Sequence, residues 1–261
     1  MSGIFYGVGV GPGDPELLTL KAIKIIKECD VLAVAVSAPD FLRPEYEEVP
    51  RERAETESTE RKEPETGSPF HTFLEKCMAY RIALAAVPEI AEKAKLFLPM
   101  PMKKDKAELK QIHDLGAEAA AKILCENRSM AFITLGDPSV YSTCLYIQKR
   151  LCRLGYKTCL VPGIPSFCAA AARLNEGLAE NREELHILPA SYGIEEGLEL
   201  KGTKVLMKAG KKMPYVKEVV RQRGLHIRMV ENCGMESEQV YESVEEIPDE
   251  ASYYSLLIVK E

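Results

Sequence analysis

Short runs of apolar residues alternate, through the first two-thirds of the chain, with longer stretches in which apolar residues recur every three or four positions. Residues 4–10 intersperse apolar side chains with glycine and run into Gly11-Pro12-Gly13-Asp14. Residues 16–29 then carry Leu17, Leu20, Ile23 and Ile26 at helical spacing, with lysines between them. That order predicts a strand, a tight loop and a helix. Residues 31–36 are an unbroken apolar run, the pattern of a parallel strand covered on both faces, so the opening is a βαβ unit.

The theme is interrupted at 41–70, where Glu, Arg, Thr and Pro dominate and little can be buried; this stretch reads as an exposed, mobile insertion. Helical spacing returns at 74–96, broken by Pro88, and leads to a short strand at 96–98 and the stiff loop Pro99-Met100-Pro101-Met102. A helix at 105–126, a strand at 130–135 ending in Gly136-Asp137-Pro138, and a helix at 140–154 stopped by Gly155 follow. A strand at 157–161 then ends in Pro162-Gly163-Ile164-Pro165-Ser166, and an alanine-rich helix occupies 167–174. Strands alternating with helices in this way predict a parallel, doubly wound sheet.

Beyond residue 180 the texture changes. Strand patterns at 185–188, 204–208, 227–231, 239–244 and 253–259 are interrupted by one clear helix, 214–223. Two domains are expected: 1–180 with a parallel sheet, and 181–261 with a smaller, mixed one. No internal repeat stands out.

A hydrophobic content of 46% is ample for folded domains and excludes a disordered chain. No apolar run approaches the roughly 20 residues that span a bilayer. Residues 1–6 enter the strand pattern without a signal peptide's basic region and apolar stretch, so a cytoplasmic location is expected. The formal net charge of −6 offers no general attraction for nucleic acid, and an anionic ligand would need a local cluster of basic residues. Lys103, Lys104 and Lys106 form the best such cluster; Lys208, Lys211 and Lys212 form a second. The cysteines at 29, 77, 125, 144, 152, 159, 168 and 233 include no Cys-x-x-Cys pair, and His71, His113, His186 and His226 show no metal-ligand spacing. Neither disulfides nor a protein-bound metal is expected.

Chemistry is expected in the loops that follow the strands, because open parallel sheets bind ligands at their carboxyl edges. Taken alone, Gly9-x-Gly11-x-Gly13-Asp14 is a weak echo of a dinucleotide fingerprint. Pro12 is awkward for that turn, and no acidic residue follows the second strand to hold a ribose. The combination is more specific. Residues 6–22 (Tyr-Gly-Val-Gly-Val-Gly-Pro-Gly-Asp-Pro-Glu-Leu-Leu-Thr-Leu-Lys-Ala), the run Leu135-Gly136-Asp137-Pro138-Ser139-Val140-Tyr141-Ser142, the run Val161-Pro162-Gly163-Ile164-Pro165-Ser166-Phe167 and Val230-Glu231-Asn232 occur in this order. With them the chain resembles the tetrapyrrole methylases over nearly its whole length outside the insertion. Within that family it is most similar to the precorrin-2 or cobalt-factor II C20-methyltransferases. The residues that carry this are Gly-Asp-Pro-Ser-Val-Tyr-Ser-Thr at 136–143, Ser-Phe-Cys-Ala-Ala-Ala-Ala-Arg-Leu at 166–174 and the segment from 98 to 109.

The resemblance implies an α/β protein of two αβα domains with S-adenosylmethionine in the cleft between them, and a homodimer. It places cofactor contacts at Pro12, Leu135, Gly136, Asp137, Val140, Pro165, Ser166, Lys208 and Cys233, many through backbone atoms. It implies methyl transfer to C20 of the tetrapyrrole, whose carboxylates call for the Lys103, Lys104 and Lys106 cluster. Any cobalt would arrive in the substrate. Tyr6, Asp14 and Tyr141 are candidate substrate-binding residues and, with Asp105, candidates for the base that takes the C20 proton; the sequence does not single one out. Relatives that methylate other carbons often have an Asp after the second strand, where this chain has Val34-Ala35-Val36-Ser37. Methylation of another tetrapyrrole carbon, or of a protein or RNA, and non-catalytic binding of cofactor or tetrapyrrole stay open as alternatives.

Overall fold

The computed structural model describes residues 2–48, 70–189 and 194–261. The chain forms two compact units, one of Met1–Gly11 and Pro15–Ile164, the other of Pro12–Asp14 and Pro165–Glu261.

The first unit is built on β1 (Phe5–Gly9), β2 (Val31–Val36), β3 (Glu45–Glu47), β4 (Ala94–Pro99), β5 (Met130–Thr134) and β6 (Thr158–Val161), in the order β3-β4-β2-β5-β1-β6. All pairings are parallel except that of β3 with β4. Successive side chains of a strand point to opposite faces, so the apolar runs supply two cores. On one face Val8, Val34, Phe97 and Ile133 pack with Ile26 of α1 (Leu20–Glu28), and with Ile82 of α3 (Met78–Ala86), which follows the short α2 (His71–Lys76). On the other face Phe5, Ala33, Leu96 and Phe132 meet Ala117 of α4 (Lys106–Cys125) and Ile147 of α5 (Cys144–Arg153). The helix starts are specified locally: Thr19 accepts the Ala22 N–H at 3.1 Å, and Asp105 accepts the N–H groups of Ala107 and Glu108 at 2.8 and 3.1 Å.

Two expectations change here. The ends of the supposed insertion belong to the fold. Glu45–Glu47 pairs with β4, Phe41 packs on Phe73 at 5.0 Å, and Phe70 stacks on Phe97 at 4.7 Å. The rest of that insertion, 49–69, lies outside the described residues. The helix read from residue 140 begins at Cys144, because Tyr141 has φ +48°, which no right-handed helix accommodates.

The second unit has a mixed sheet in the order β10-β9-β11-β8-β7: β7 (Leu185–Pro189), β8 (Thr203–Met207), β9 (His226–Glu231), β10 (Gln239–Tyr241) and β11 (Ser255–Lys260). Only β7 and β8 are parallel. Leu206, Met229 and Leu257 pack against Ile194 of α7 (Ile194–Gly197), which the periodicity missed, and against Val216 and Val220 of α8 (Met213–Arg223). The helix α6 (Ser166–Arg173), expected to close the first domain, packs instead against β9 and β11. The units therefore divide between 164 and 165 rather than at 180. No helix among the described residues is long and apolar enough to cross a membrane.

Candidate active site

Leaving β1 the chain turns to α1 on one face of the first sheet; leaving the neighbouring β5 it turns to α5 on the other. Adjacent strands whose connections part in this way open a crevice at their carboxyl ends, the usual ligand site of such sheets. The expected Gly-Asp-Pro loop sits there. The Gly136 N–H donates to the Gly11 carbonyl at 2.8 Å, which ties the loop after β5 to the loop after β1.

Backbone packs on backbone at this edge. A Cβ at Gly163, just beyond β6, would lie 2.2 Å from the Gly136 carbonyl oxygen, and one at Gly9 would lie 2.5 Å from the same atom. Asp137 fastens the arrangement. Its Oδ1 accepts the Ser139 N–H at 2.8 Å and the Ser139 hydroxyl, and its Oδ2 accepts the Gly163 N–H at 3.0 Å. The side chain expected to serve the ligand is thus engaged in holding the loops after β5 and β6 together. Leu135 and Val140 flank it, both half-buried. Tyr141 is 52% exposed, and its positive φ marks a strained aromatic next to the crevice.

Tyr6 lies on β1, half-buried, and its hydroxyl is pushed above the usual tyrosine range mainly by burial. Lys103 pairs with Glu108 on the first turn of α4, and Asp105 caps that helix. Asp105 thus has a capping role, and Lys103 a role in holding its loop to α4, that the sequence reading did not assign. Lys104 and Lys106 are exposed and have no ion-pair partner among the described residues.

The remaining candidates belong to the second unit. Segment 12–14 packs there against the loop that follows β9. A Cβ at Gly13 would lie 2.2 Å from the Cys233 carbonyl oxygen, and one at Gly234, which has φ +76°, would lie 2.6 Å from the Asp14 nitrogen. Pro12 and Cys233 are buried, and the Cys233 thiol is pushed up to about 11, first by burial and then by the Glu238 carboxylate. Pro165 and Ser166 begin α6. Lys208, just after β8, has φ +60° and lies over the Tyr253 ring at 5.4 Å; the Lys211 side chain lies outside the described residues. The motif residue Asn232 accepts the Ser252 hydroxyl at 3.0 Å and donates its backbone N–H to Tyr254 at 3.1 Å, knitting the loop after β9 to the start of β11. Sequence reasoning missed Gly9, Gly163, Arg173, Glu238 and Tyr253. The glycines were visible within quoted motifs, but only the sheet order shows that they meet.

The chain thus forms two α/β units, the first with a glycine-lined carboxyl edge of the kind at which such sheets bind ligands. The family description "Tetrapyrrole (Corrin/Porphyrin) Methylases" matches residues 5–248, and the chain belongs to that family. It is 34% identical over 259 residues to the "Probable cobalt-precorrin-2 C(20)-methyltransferase" of Methanocaldococcus jannaschii, covering 98% of this chain and 95% of that one. It is 26% identical to the "Precorrin-2 C(20)-methyltransferase" of a Sinorhizobium species, covering 99% and 97%. Among solved structures, uroporphyrin-III C-methyltransferase from Thermus thermophilus complexed with S-adenosylhomocysteine shares the fold, with a TM-score of 0.61, 18% identity and coverage of 99% and 97%.

Proposed function

We propose that this protein transfers a methyl group from S-adenosylmethionine to C20 of precorrin-2 or its cobalt form, in corrin biosynthesis, as a cytoplasmic homodimer. Full-length similarity to C20-methyltransferases carries this reading. The cofactor suits the residues present. Half-buried Leu135 and Val140, on the loop after β5, offer apolar surface suited to a nucleoside. In the first unit Leu135, Gly136, Asp137 and Val140 would hold it; in the second, Pro12, Pro165, Ser166, Lys208 and Cys233. When bound, the cofactor supplies an electrophilic methyl group.

The protein's task is then mainly orientation. The nucleophilic carbon of a reduced macrocycle is electron-rich, and holding it in line with the methyl group accounts for much of the rate. Asp137 keeps the loop after β5 in one position, and the neutral Cys233 thiol adds no competing charge. Lys104 and Lys106 receive substrate carboxylates, and Tyr141 flanks the macrocycle. Tyr6, Asp14, Tyr141 and the helix-capping Asp105 are the candidates for the proton acceptor.

Anaerobic incubation with methyl-labelled cofactor and either precorrin-2 or cobalt-factor II is expected to place the label at C20, read by NMR. Label at another carbon would reassign the reaction within the family, and cofactor binding with no transfer to either tetrapyrrole would point to a binding protein. Removing both charges in Lys104→Ala/Lys106→Ala is expected to raise the KM for the tetrapyrrole roughly tenfold while leaving cofactor affinity unchanged. An unchanged KM would remove these lysines from the substrate site.

A further inference from the structure

The loop that carries Cys233 is held by a carboxylate that no motif marks. Glu238 is largely buried, and its Oε2 accepts the Gly234 N–H at 2.8 Å. Its Oε1 pairs with Arg173 Nε at the last turn of α6. Burial alone would raise the Glu238 carboxyl; the Gly234 N–H and Arg173 outweigh it and hold the carboxyl below the usual range.

The peptide so held is the one on which segment 12–14 rests, since Gly13 meets the Cys233 carbonyl and Gly234 meets the Asp14 nitrogen. The helix that supplies Arg173 begins at Ser166, immediately after Pro165. One ion pair therefore ties together the three segments of the second unit that contain Pro12, Pro165, Ser166 and Cys233. We infer that Glu238 and Arg173 are positioning residues, which fix these segments in the geometry that binds the cofactor without touching it themselves. The inference rests on the assignment of those four residues to the cofactor.

A purely stabilising role is a poor account of the pair. Arg173 is 54% exposed, and ion pairs with so much solvent contact contribute little to folding. What the pair specifies is the aim of the Gly234 peptide. Losing it releases the loop while the core of the second unit, made by α7, α8 and the opposite side of the sheet, keeps its packing.

The test is calorimetric titration of the full chain with S-adenosylhomocysteine, together with steady-state kinetics and thermal unfolding. Glu238→Ala is expected to weaken binding roughly tenfold, from the loss of charge-assisted hydrogen bonds to the loop. It should raise the cofactor KM in proportion and leave kcat at saturation within about twofold of the parent, because uniform binding alone is lost. Glu238→Gln retains an acceptor for the Gly234 N–H and should recover part of the affinity. Arg173→Ala, at a half-exposed position that folds without it, should weaken binding by about threefold and covers the case in which Glu238→Ala does not fold. Parent affinity in both Arg173→Ala and Glu238→Gln would overturn the inference, as would losses that merely follow the fall in Tm. A parent chain that does not bind S-adenosylhomocysteine would overturn the cofactor assignment itself, and this inference with it.

Discussion

Gly163→Ala is expected to lower the free energy of unfolding by about 3 kcal/mol and to abolish cofactor binding. The added Cβ would lie 2.2 Å from the Gly136 oxygen and 2.8 and 2.9 Å from the Gly9 carbonyl and α-carbons. All three are backbone atoms at the ends of neighbouring strands, so no side chain can rotate away. Relief requires the loops after β5 and β6 to separate, which also breaks the bond from the Gly163 N–H to Asp137. Gly177→Ala is the control. Its Cβ would find only the Glu180 side chain, at 3.7 Å, and the change should cost less than about 0.5 kcal/mol. Denaturant unfolding of both variants decides the matter, and parent stability in Gly163→Ala would mean that the three loops do not meet as described.

Asp137→Ala is expected to weaken S-adenosylhomocysteine binding by about 2 kcal/mol, roughly thirtyfold in Kd, with the fold intact. The carboxylate serves one donor group on its own loop and another on the loop after β6, and alanine leaves the N–H groups of Ser139 and Gly163 without that acceptor. Asn separates the two duties. Its single oxygen can accept from one side only, and its amide then faces a second donor on the other. Asp137→Asn should therefore fall between alanine and the parent. Parent affinity in the alanine variant would show that the clamp does not govern the ligand.

The fold of the first unit was legible because its strands are buried on both faces. Residues 31–36 and 130–133 are continuous apolar runs of strand length, and the breaks after them fall at glycine and proline. The interruption at 41–70 was misread at its ends because Phe41 and Phe70 border a long polar stretch and show little apolar pattern of their own. An isolated aromatic gives no periodic signal, and its burial depends on Phe73 and Phe97, elsewhere in the chain. The helix α6 reads as small and apolar whichever sheet it covers, so composition could not place the division between the units. At the site, motif order found the loops, but not the work that individual residues do in them. Asp105 and Lys103 looked like chemistry because a helix cap and its neighbouring ion pair use the same residue types as a base and an anion clamp. Glu238 and Arg173 lie far apart in sequence, Arg173 at the end of an alanine run and Glu238 among charged residues, and only folding brings them together.

Segment 12–14 belongs to the second unit although the residues on either side belong to the first. Its partners at 233–235 lie roughly two hundred residues further along the chain, a separation that makes loop closure slow. The turn on which Pro12 sits is therefore unsupported until residues 233–235 have folded against it. A cut between 164 and 165 would not yield two independent proteins, because the larger fragment would carry three residues of its neighbour's structure and the smaller would lack them.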